Sequence, residues 1–182
     1  MKPLHPTQVS SQPPAHGRAY GLKPGLILGL AFLLGLPVAC DRGTHPSQIG
    51  RTAPDFTVAD GSSSVHLASL RGKVVILNFW ATWCPPCVEE LPSLLALQQR
   101  MPQVDVVAIS IDEDDSIYHK FLIDHNVTLR TVRDTAQSSN ALYGTYKLPE
   151  TYVIDRKGIL RRKFIGAQQW TSPEILDYLA KL

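Results

Sequence analysis

The alternation of apolar and polar positions separates an N-terminal segment from one folded domain. Residues 25–39 form an uncharged apolar run, and residues 41–53 are polar, with Gly and Pro but no periodicity, as in a linker. From residue 54 to residue 182, apolar positions recur with the periods of strands and helices. The pattern therefore predicts a targeting or anchoring segment over residues 1–40, a linker over 41–53 and a single domain over 54–182.

Strands are predicted at six places in the domain. Residues 55–59 and 64–67 alternate around Asp60-Gly61, which indicates a hairpin. Nearly continuous apolar runs, typical of strands covered on both faces, occur at residues 73–80 (KVVILNFW) and 104–111 (VDVVAISI). Two further strands, at residues 151–155 and 159–165, are joined by a turn at Arg156-Lys157-Gly158.

Helical spacing predicts four helices between and after these strands. They cover residues 85–100, residues 115–125 with Asp114 or Asp115 at the start, residues 136–143, and residues 173–182 capped by Thr171 or Ser172. Pro92 lies inside the first helix, so a kink or break is expected there. The order β-β-β-α-β-α-α-β-β-α predicts an α/β fold with a central sheet flanked by helices.

The charge of the chain is unevenly distributed. The net charge is +2, but residues 1–39 contain Lys2, Arg18 and Lys23 and no acid. The remaining residues hold 15 of the 18 basic side chains and all 16 acidic ones. A nearly neutral domain gives no electrostatic reason to expect a nucleic acid partner.

The three N-terminal cations and the apolar run after them are typical of an export signal. A basic leader, an apolar core of this length and small residues at the end mark secretory signals. Residues 25–39 are short for a membrane span, which needs roughly 20 apolar residues. Cys40 follows directly, and this junction resembles a bacterial lipoprotein signal, which implies lipid attachment at Cys40. Ala39 fits that pattern, whereas Pro37 stands where the family usually has Leu.

The N-terminal segment therefore has three interpretations. Cys40 carries a lipid, residues 1–40 remain as an uncleaved anchor, or the domain is secreted freely. Asp41, directly after the cysteine, favours the inner membrane in proteins of the lipoprotein type. Either anchor places the domain outside the cytoplasm, since the positive flank stays inside. If Cys40 is lipidated, the other two of the three cysteines form a pair.

That pair lies in residues 83–87 (WCPPC), after a buried strand and at the start of a helix. Cysteines at this spacing can form a disulfide. Amide N–H groups at a helix start favour a thiolate at Cys84 and lower its pKa, whereas Cys87 lies one turn further in. Cys84 is then the attacking thiol and Cys87 the resolving thiol. A structural disulfide or half of a zinc site are the alternatives, but no second Cys pair or His pair completes a zinc site.

The same segment resembles a known family. Residues 79–87 (FWATWCPPC) resemble the active site of thioredoxins and, more closely, of their TlpA/ResA-like extracytoplasmic branch. Further matches follow in order at residues 54–56 (PDF), 70–73 (LRGK), Glu90 with Pro92, 148–151 (LPET) and 154–155 (ID). The resemblance spans residues 54–182 and implies a thioredoxin fold with an N-terminal hairpin and a central insertion. It implies no cofactor beyond the Cys84–Cys87 disulfide, and no metal.

The resemblance also assigns residues to substrate binding. Pro149 takes the place of the family's cis-proline, which leaves the backbone of Leu148 facing the cysteines and able to pair with a bound peptide. Trp83 is expected beside the exposed sulfur of Cys84, as part of the contact surface. Pro85 and Pro86 lie on that surface and are expected to tune the reduction potential.

Glu90 is the third candidate for a catalytic role. Three residues after Cys87, it is expected to point inward, where the branch often has an acid that moves protons to and from the cysteines. Thioredoxin itself has a buried Asp in the preceding strand, and this sequence has Asn78 at that place. Burial and a nearby thiolate both raise a carboxyl pKa, which suits that task.

The function implied is a membrane-tethered disulfide reductant. Its expected partners are disulfide-containing exported proteins, such as apocytochrome c, and a membrane electron donor. Peroxiredoxins share the fold and the Pro-Asp-Phe motif at the start of the domain. Their Thr-x-x-Cys motif at the reactive cysteine is absent here, because Thr82 is two residues before Cys84. A non-catalytic redox sensor or a copper-binding module is the other alternative.

Overall fold

The computed structural model describes residues 48–61 and 63–182. The predicted export signal and Cys40 lie outside these residues. No helix within the described ranges is long and apolar enough to cross a bilayer. The elements are β1 (Thr57–Asp60), β2 (Ser63–His66), β3 (Val74–Trp80), α1 (Pro85–Arg100), β4 (Val104–Ser110), α2 (Asp115–Asp124), β5 (Arg130–Arg133), α3 (Ser138–Tyr143), β6 (Glu150–Ile154), β7 (Leu160–Ile165) and α4 (Pro173–Leu179).

Five strands form one mixed sheet in the order β5-β4-β3-β6-β7. Strands β3, β4 and β5 are parallel, and β6 and β7 run antiparallel to their neighbours. The hairpin of β1 and β2 is a separate two-stranded sheet, as predicted. These elements confirm a central mixed sheet flanked by helices, with an N-terminal hairpin.

Strand β3 lies at the centre of the sheet, and all seven of its residues are buried. Alternate side chains point to opposite faces, as in any strand. Val75, Leu77 and Phe79 belong to the core beneath the hairpin and α3. Val74 and Ile76 belong to the core beneath α1 and α4. The two-sided burial predicted from the continuous apolar run is confirmed.

The structure differs from the predicted elements at two places. Strand β5 was not predicted, because it has an Arg at each end and only one aliphatic side chain, Val132, which gives no periodicity. The strand forms because it pairs with β4 in the tertiary structure. At Pro92, where a kink or break was expected, α1 continues as one helix without a break. Buried Leu91 and Leu94 flank the proline and hold both halves against the sheet, which outweighs the missing N–H.

The strand directions decide which loops meet. Strands β3 and β4 are parallel, so the loops after Trp80 and after Ser110 leave the same edge of the sheet. Strand β6 is antiparallel to β3, and it begins at that edge with Glu150. The residues following β3, following β4 and preceding β6 are therefore neighbours, although they are far apart in sequence.

Candidate active site

Cys84 and Cys87 form a disulfide at the start of α1, with a Cα–Cα distance of 5.3 Å. Cys84 is the N-cap residue, and its carbonyl accepts hydrogen bonds from the amides of Cys87 (3.0 Å) and Val88 (3.1 Å). The expectation of an exposed sulfur is wrong for this oxidised form, because only 4 % of Cys84 is accessible. Both cysteines pack in a cluster with Trp80 and Tyr118.

The start of α1 offers few amide donors to Cys84. The first two helical residues are Pro85 and Pro86, which have no N–H. The next two amides, those of Cys87 and Val88, both point to the carbonyl of Cys84. The helix start thus lacks the free N–H groups that were expected to stabilise a thiolate at Cys84.

The Leu148–Pro149 peptide bond is cis, as the resemblance implied. Leu148 is half-buried and packs against the cluster that contains the two cysteines. Neither its N–H nor its C=O bonds to another described residue, whereas the carbonyl of Pro149 accepts from the amide of Gly166 at 2.9 Å. The main chain beside the disulfide is therefore open to a partner at Leu148.

A groove of about 580 Å³ lies against the disulfide. Trp83, which is 64 % exposed, forms part of its wall. Four of the residues that the resemblance assigned to substrate binding line it together with Cys84, and residues in and beside α3 supply most of the remainder. The full lining is Trp83, Cys84, Pro85, Pro86, Ile111, Gln137, Asn140, Thr145, Tyr146 and Leu148.

Glu90 points inward from the first turns of α1 and is only 2 % exposed. Its Oε1 accepts from the side-chain amide of Asn78 at 2.8 Å. Its Oε2 accepts from the backbone amide of Gln168 at 3.0 Å and from Nε1 of Trp170 at 3.1 Å. Burial raises the pKa of Glu90, and the three hydrogen bonds offset part of that rise by favouring the ionised form.

Asn78 connects Glu90 to the strand that follows the cis-proline. Its Nδ2 donates to Glu90 and also, at 2.8 Å, to Oγ1 of Thr151 in β6. On the opposite face of β6, Glu150 forms a buried ion pair with Lys163, with 2.9 Å between Nζ and Oε2. The hydroxyl of Tyr152 donates to the same oxygen at 3.1 Å. Strand β6 thus carries polar contacts on both faces next to the site.

Asp112 holds the loop that leads into Cys84. Residues 81–84 form a turn in which the amide of Cys84 donates to the carbonyl of Ala81 at 3.2 Å. The buried carboxylate of Asp112 accepts from the amide of Thr82 at 3.0 Å and from its hydroxyl at 2.6 Å. Ser110 donates to the same carboxylate at 2.6 Å. The turn before the cysteines is thereby fixed to the end of β4.

Comparison with known proteins identifies the family. Residues 49–163 match the model of the AhpC/TSA family. The chain belongs to this family. It is 34% identical over 138 residues to the thiol-disulfide oxidoreductase ResA of Bacillus anthracis, a match that covers 74% of this chain and 79% of ResA.

Solved structures agree with that assignment. A crystal structure assigned to a thiol:disulfide interchange protein DsbE of Chlorobium tepidum superposes with a TM-score of 0.68 at 27% identity, covering 73% of this chain and 96% of that one. A secreted Mycobacterium tuberculosis disulfide oxidoreductase, homologous to DsbE of E. coli, superposes with a TM-score of 0.60 at 27% identity, covering 70% and 96%. The fold is therefore the thioredoxin fold, and the chain is a thiol-disulfide oxidoreductase of the ResA/DsbE type.

The family's short motifs did not indicate every residue at this site. Asp112 and Trp170 were not predicted to be part of it. Asp112 follows a buried strand, and a polar residue at such a position can indicate a site. Its hydrogen-bond partner Thr82, however, is 30 residues away in the sequence. Trp170 lies 80 residues from Glu90 in an irregular segment, and no local pattern connects the two. Within the part of the chain that the structure describes, no group of three or more His, Cys, Asp or Glu is placed to hold a metal ion.

Proposed function

We propose that this oxidoreductase reduces disulfides in exported proteins while tethered to the bacterial inner membrane and facing the periplasm or the cell exterior. Residues 1–40 are the signal or the anchor, with Cys40 as the site of lipid attachment, residues 41–53 are the linker, and residues 54–182 carry the chemistry. Cys84 attacks, Cys87 resolves, and Glu90 moves protons.

The reaction consumes one client disulfide and returns two client thiols. The Cys84 thiolate attacks a client sulfur, which forms a mixed disulfide and releases the first client thiolate. Cys87 then loses its proton and attacks the sulfur of Cys84, which closes the Cys84–Cys87 disulfide and releases the second client thiolate. Each released thiolate takes up a proton. A dithiol electron donor at the membrane reduces Cys84–Cys87 again by the same exchange.

The two prolines at the start of α1 support the reductive direction. A thiol-disulfide protein is a strong oxidant when its dithiol form is stabilised, as by amide donors around the attacking thiolate. Here Pro85 and Pro86 remove two donors, and the next two amides point to the carbonyl of Cys84. With the thiolate less stabilised, the disulfide is favoured and the dithiol is the better electron donor.

The position of Glu90 supports proton transfer. Resolution requires that Cys87 lose a proton, and Glu90 lies on the next turn of the same helix, out of contact with solvent. Burial raises the pKa of its carboxyl, which brings it nearer to the working pH. A carboxyl group with a raised pKa can exchange protons with a thiol in both directions of the reaction.

The groove supports an extended peptide as the substrate. The main-chain N–H and C=O of Leu148 have no partner among the described residues, so a client strand can pair with them beside the disulfide while Trp83 and Tyr146 contact its side chains. The secreted relative from Mycobacterium tuberculosis and the export signal both favour exported clients. Apocytochrome c, which carries a cysteine pair, is the candidate client.

The reduction potential of the domain tests this proposal. The domain is equilibrated in dithiol–disulfide buffers and followed by tryptophan fluorescence, since Trp80 and Trp83 adjoin the cysteines. A two-electron transition at or below about −230 mV is expected, and one near −120 mV would make the protein an oxidant. Peroxide consumption far above that of a free thiol would establish a peroxidase instead, and stoichiometric Cu(I) binding without disulfide exchange a copper-binding module.

A further inference from the structure

Six exposed cations cluster at the edge of the sheet opposite the active site. Lys73 directly precedes β3, and Arg156 and Lys157 follow the end of β6, which is antiparallel to β3. We call this surface the basic end; it consists of Arg51, Arg71, Lys73, Arg156, Lys157 and Arg161. The active-site cysteines follow the other end of β3, so the two surfaces lie at opposite edges of the sheet.

Hydrogen bonds between the segments hold the basic end together. Nη1 of Arg71 donates to the carbonyl of Lys157 at 2.5 Å, and the amide of Gly72 donates to the carbonyl of Arg156 at 2.9 Å. The carbonyl of Arg51 accepts from the amide of Leu160, also at 2.9 Å. The cations are thus held side by side although they come from three separate segments.

Only two of the six cations are neutralised within the described residues. Lys73 pairs with Asp105 at 3.1 Å, and Arg161 pairs with Asp155 at 2.7 Å. No described carboxylate lies within salt-bridge distance of the other four, Arg51, Arg71, Arg156 and Lys157. Among the described residues, the six cations and the two carboxylates that pair with them leave an excess of four positive charges on this surface.

The opposite edge of the sheet carries acidic side chains. Three consecutive exposed acids, Glu113, Asp114 and Asp115, follow β4 on the side of the active site, and one of them, Asp115, pairs with Arg133 at 2.8 Å. Among the described residues, two acids at the active-site edge and four cations at the basic end have no salt-bridge partner, so the nearly neutral domain is polarised between the two edges. An anionic surface attracts the basic end and repels the active-site edge.

The chain enters the domain at the basic end. Thr52 bridges to Ile159, and the amide of Gly50 donates to the carbonyl of Leu160 at 2.7 Å. Cys40 is eight residues before Gln48 in the sequence. Eight residues of chain span at most about 29 Å, so an anchor at Cys40 keeps the basic end close to the membrane.

We propose that the basic end binds the anionic headgroups of the membrane that holds the N-terminus, so that the groove beside Cys84 points away from the lipid. The inference rests on the proposed tethering. Anionic phospholipids attract basic side chains near the surface, and the four unneutralised cations supply that attraction. The tether determines the distance from the membrane, and the charge determines the orientation of the domain.

Vesicle binding by the domain without its anchor tests the inference. Residues 48–182 contain all three buried clusters, and the Chlorobium tepidum structure, 96% of which is covered by the match, shows that this region forms a complete fold. Vesicles of phosphatidylglycerol mixed with phosphatidylcholine are compared with phosphatidylcholine alone by co-sedimentation. Binding is expected only to the anionic vesicles, and it is expected to disappear at high salt.

A matched pair of double variants tests whether vesicle binding depends on the location of the cations or only on the net charge of the domain. The double variant Arg156→Gln with Lys157→Gln is expected to lower the affinity for anionic vesicles about 30-fold. The control, Lys120→Gln with Lys147→Gln, removes the same charge from elsewhere and is expected to retain wild-type affinity. Equal binding to both kinds of vesicle, or equal loss in both variants, would overturn the inference. Membrane association of the full chain and the reduction potential test the proposed function separately.

Discussion

The indole Nε1 of Trp170 donates a hydrogen bond of 3.1 Å to the carboxylate of Glu90, across 80 positions of sequence. Glu90 is the one acid buried in the helix that carries the cysteines, and Trp170 is itself fully buried. Together with Asn78 and the amide of Gln168, the indole determines how readily the carboxyl gives up its proton. The protonation of Glu90 therefore depends on a segment that follows the last strand.

Removing the carboxyl at Glu90 tests its role in proton transfer. Glu90→Gln keeps the size of the side chain but neither releases nor accepts a proton near neutral pH. We expect disulfide exchange to slow by about 10- to 100-fold, since general acid–base groups contribute factors of this size and above. Stopped-flow measurement of insulin or model disulfide reduction checks this. Glu89→Gln, one position earlier and exposed, is the control, and unchanged rates in both variants would refute the role of Glu90.

The same carboxyl makes stability depend on pH in a predictable direction. Burial raises the pKa of Glu90 in the folded state above its ordinary value of 4.5, so the folded protein binds this proton more tightly than the unfolded chain. Its contribution to the free energy of unfolding is complete below pH 4.5 and is lost as pH rises through the folded pKa.

Urea unfolding of wild type and Glu90→Gln at a series of pH values checks this linkage. We expect the wild-type free energy of unfolding to fall with rising pH above 4.5, and the variant to lack that fall. The lowered pKa values of Asp114 and Asp155 act in the opposite direction, but only below their ordinary value of 3.8. Parallel curves for the two proteins would show that Glu90 does not titrate differently on folding.

Replacing Trp170 tests the hydrogen bond from its indole. Trp170→Phe preserves an aromatic ring against Phe164 but removes the N–H that favours the ionised carboxylate. The pKa of Glu90 is expected to rise further, and the pH profile of disulfide exchange is expected to move to higher pH. Trp80→Phe removes an indole N–H that has no hydrogen-bond partner among the described residues and serves as the control. Identical profiles for the two variants would contradict the assignment.

Restoring an amide at the start of α1 is expected to make the protein more oxidising. Pro85→Ala or Pro86→Ala returns one N–H to the helix end beside Cys84. Each is expected to favour the dithiol by about tenfold in the equilibrium constant, which corresponds to roughly 30 mV. Pro92→Ala restores an N–H in the same helix far from the cysteines and is expected to leave the potential unchanged. A potential that moves equally in all three variants would point to helix stability as the cause.

Variants at Asp112 and Thr82 test whether Asp112 affects the reduction potential through its negative charge or through its attachment of the active-site turn. Both Asp112→Asn and Thr82→Val weaken the attachment of the active-site turn, but only the first removes a negative charge. Backbone dimensions place that charge within about 10 Å of Cys84. We expect Asp112→Asn to favour the dithiol by about tenfold, since the thiolate no longer faces a like charge, while Thr82→Val leaves the potential unchanged. Equal shifts would show that Asp112 acts through position alone.

Much of the fold could be predicted from residue patterns because the main elements are strongly periodic. The apolar run of β3 required a strand buried on both faces, and the cap at Asp114 began α2 as expected, with its side chain accepting from the amides of Ser116 and Ile117. Residue patterns could not predict strand β5 or the continuation of helix α1 through Pro92. Both depend on partners that are distant in sequence, and tertiary packing overrides a weak or contrary local preference.

The sequence by itself determined the chemistry of this protein: a pair of thiols two residues apart on a helix start, an acid one turn later and a proline before the last sheet strands. Each of these is a local property of spacing and residue type. Only the tertiary structure decided the environment of those groups. It surrounded Glu90 with Asn78, Gln168 and Trp170, and it bonded Asp112 to Thr82 in the turn before Cys84. These contacts join residues 12 to 80 positions apart, which the strand order and the path of the chain after β7 bring together.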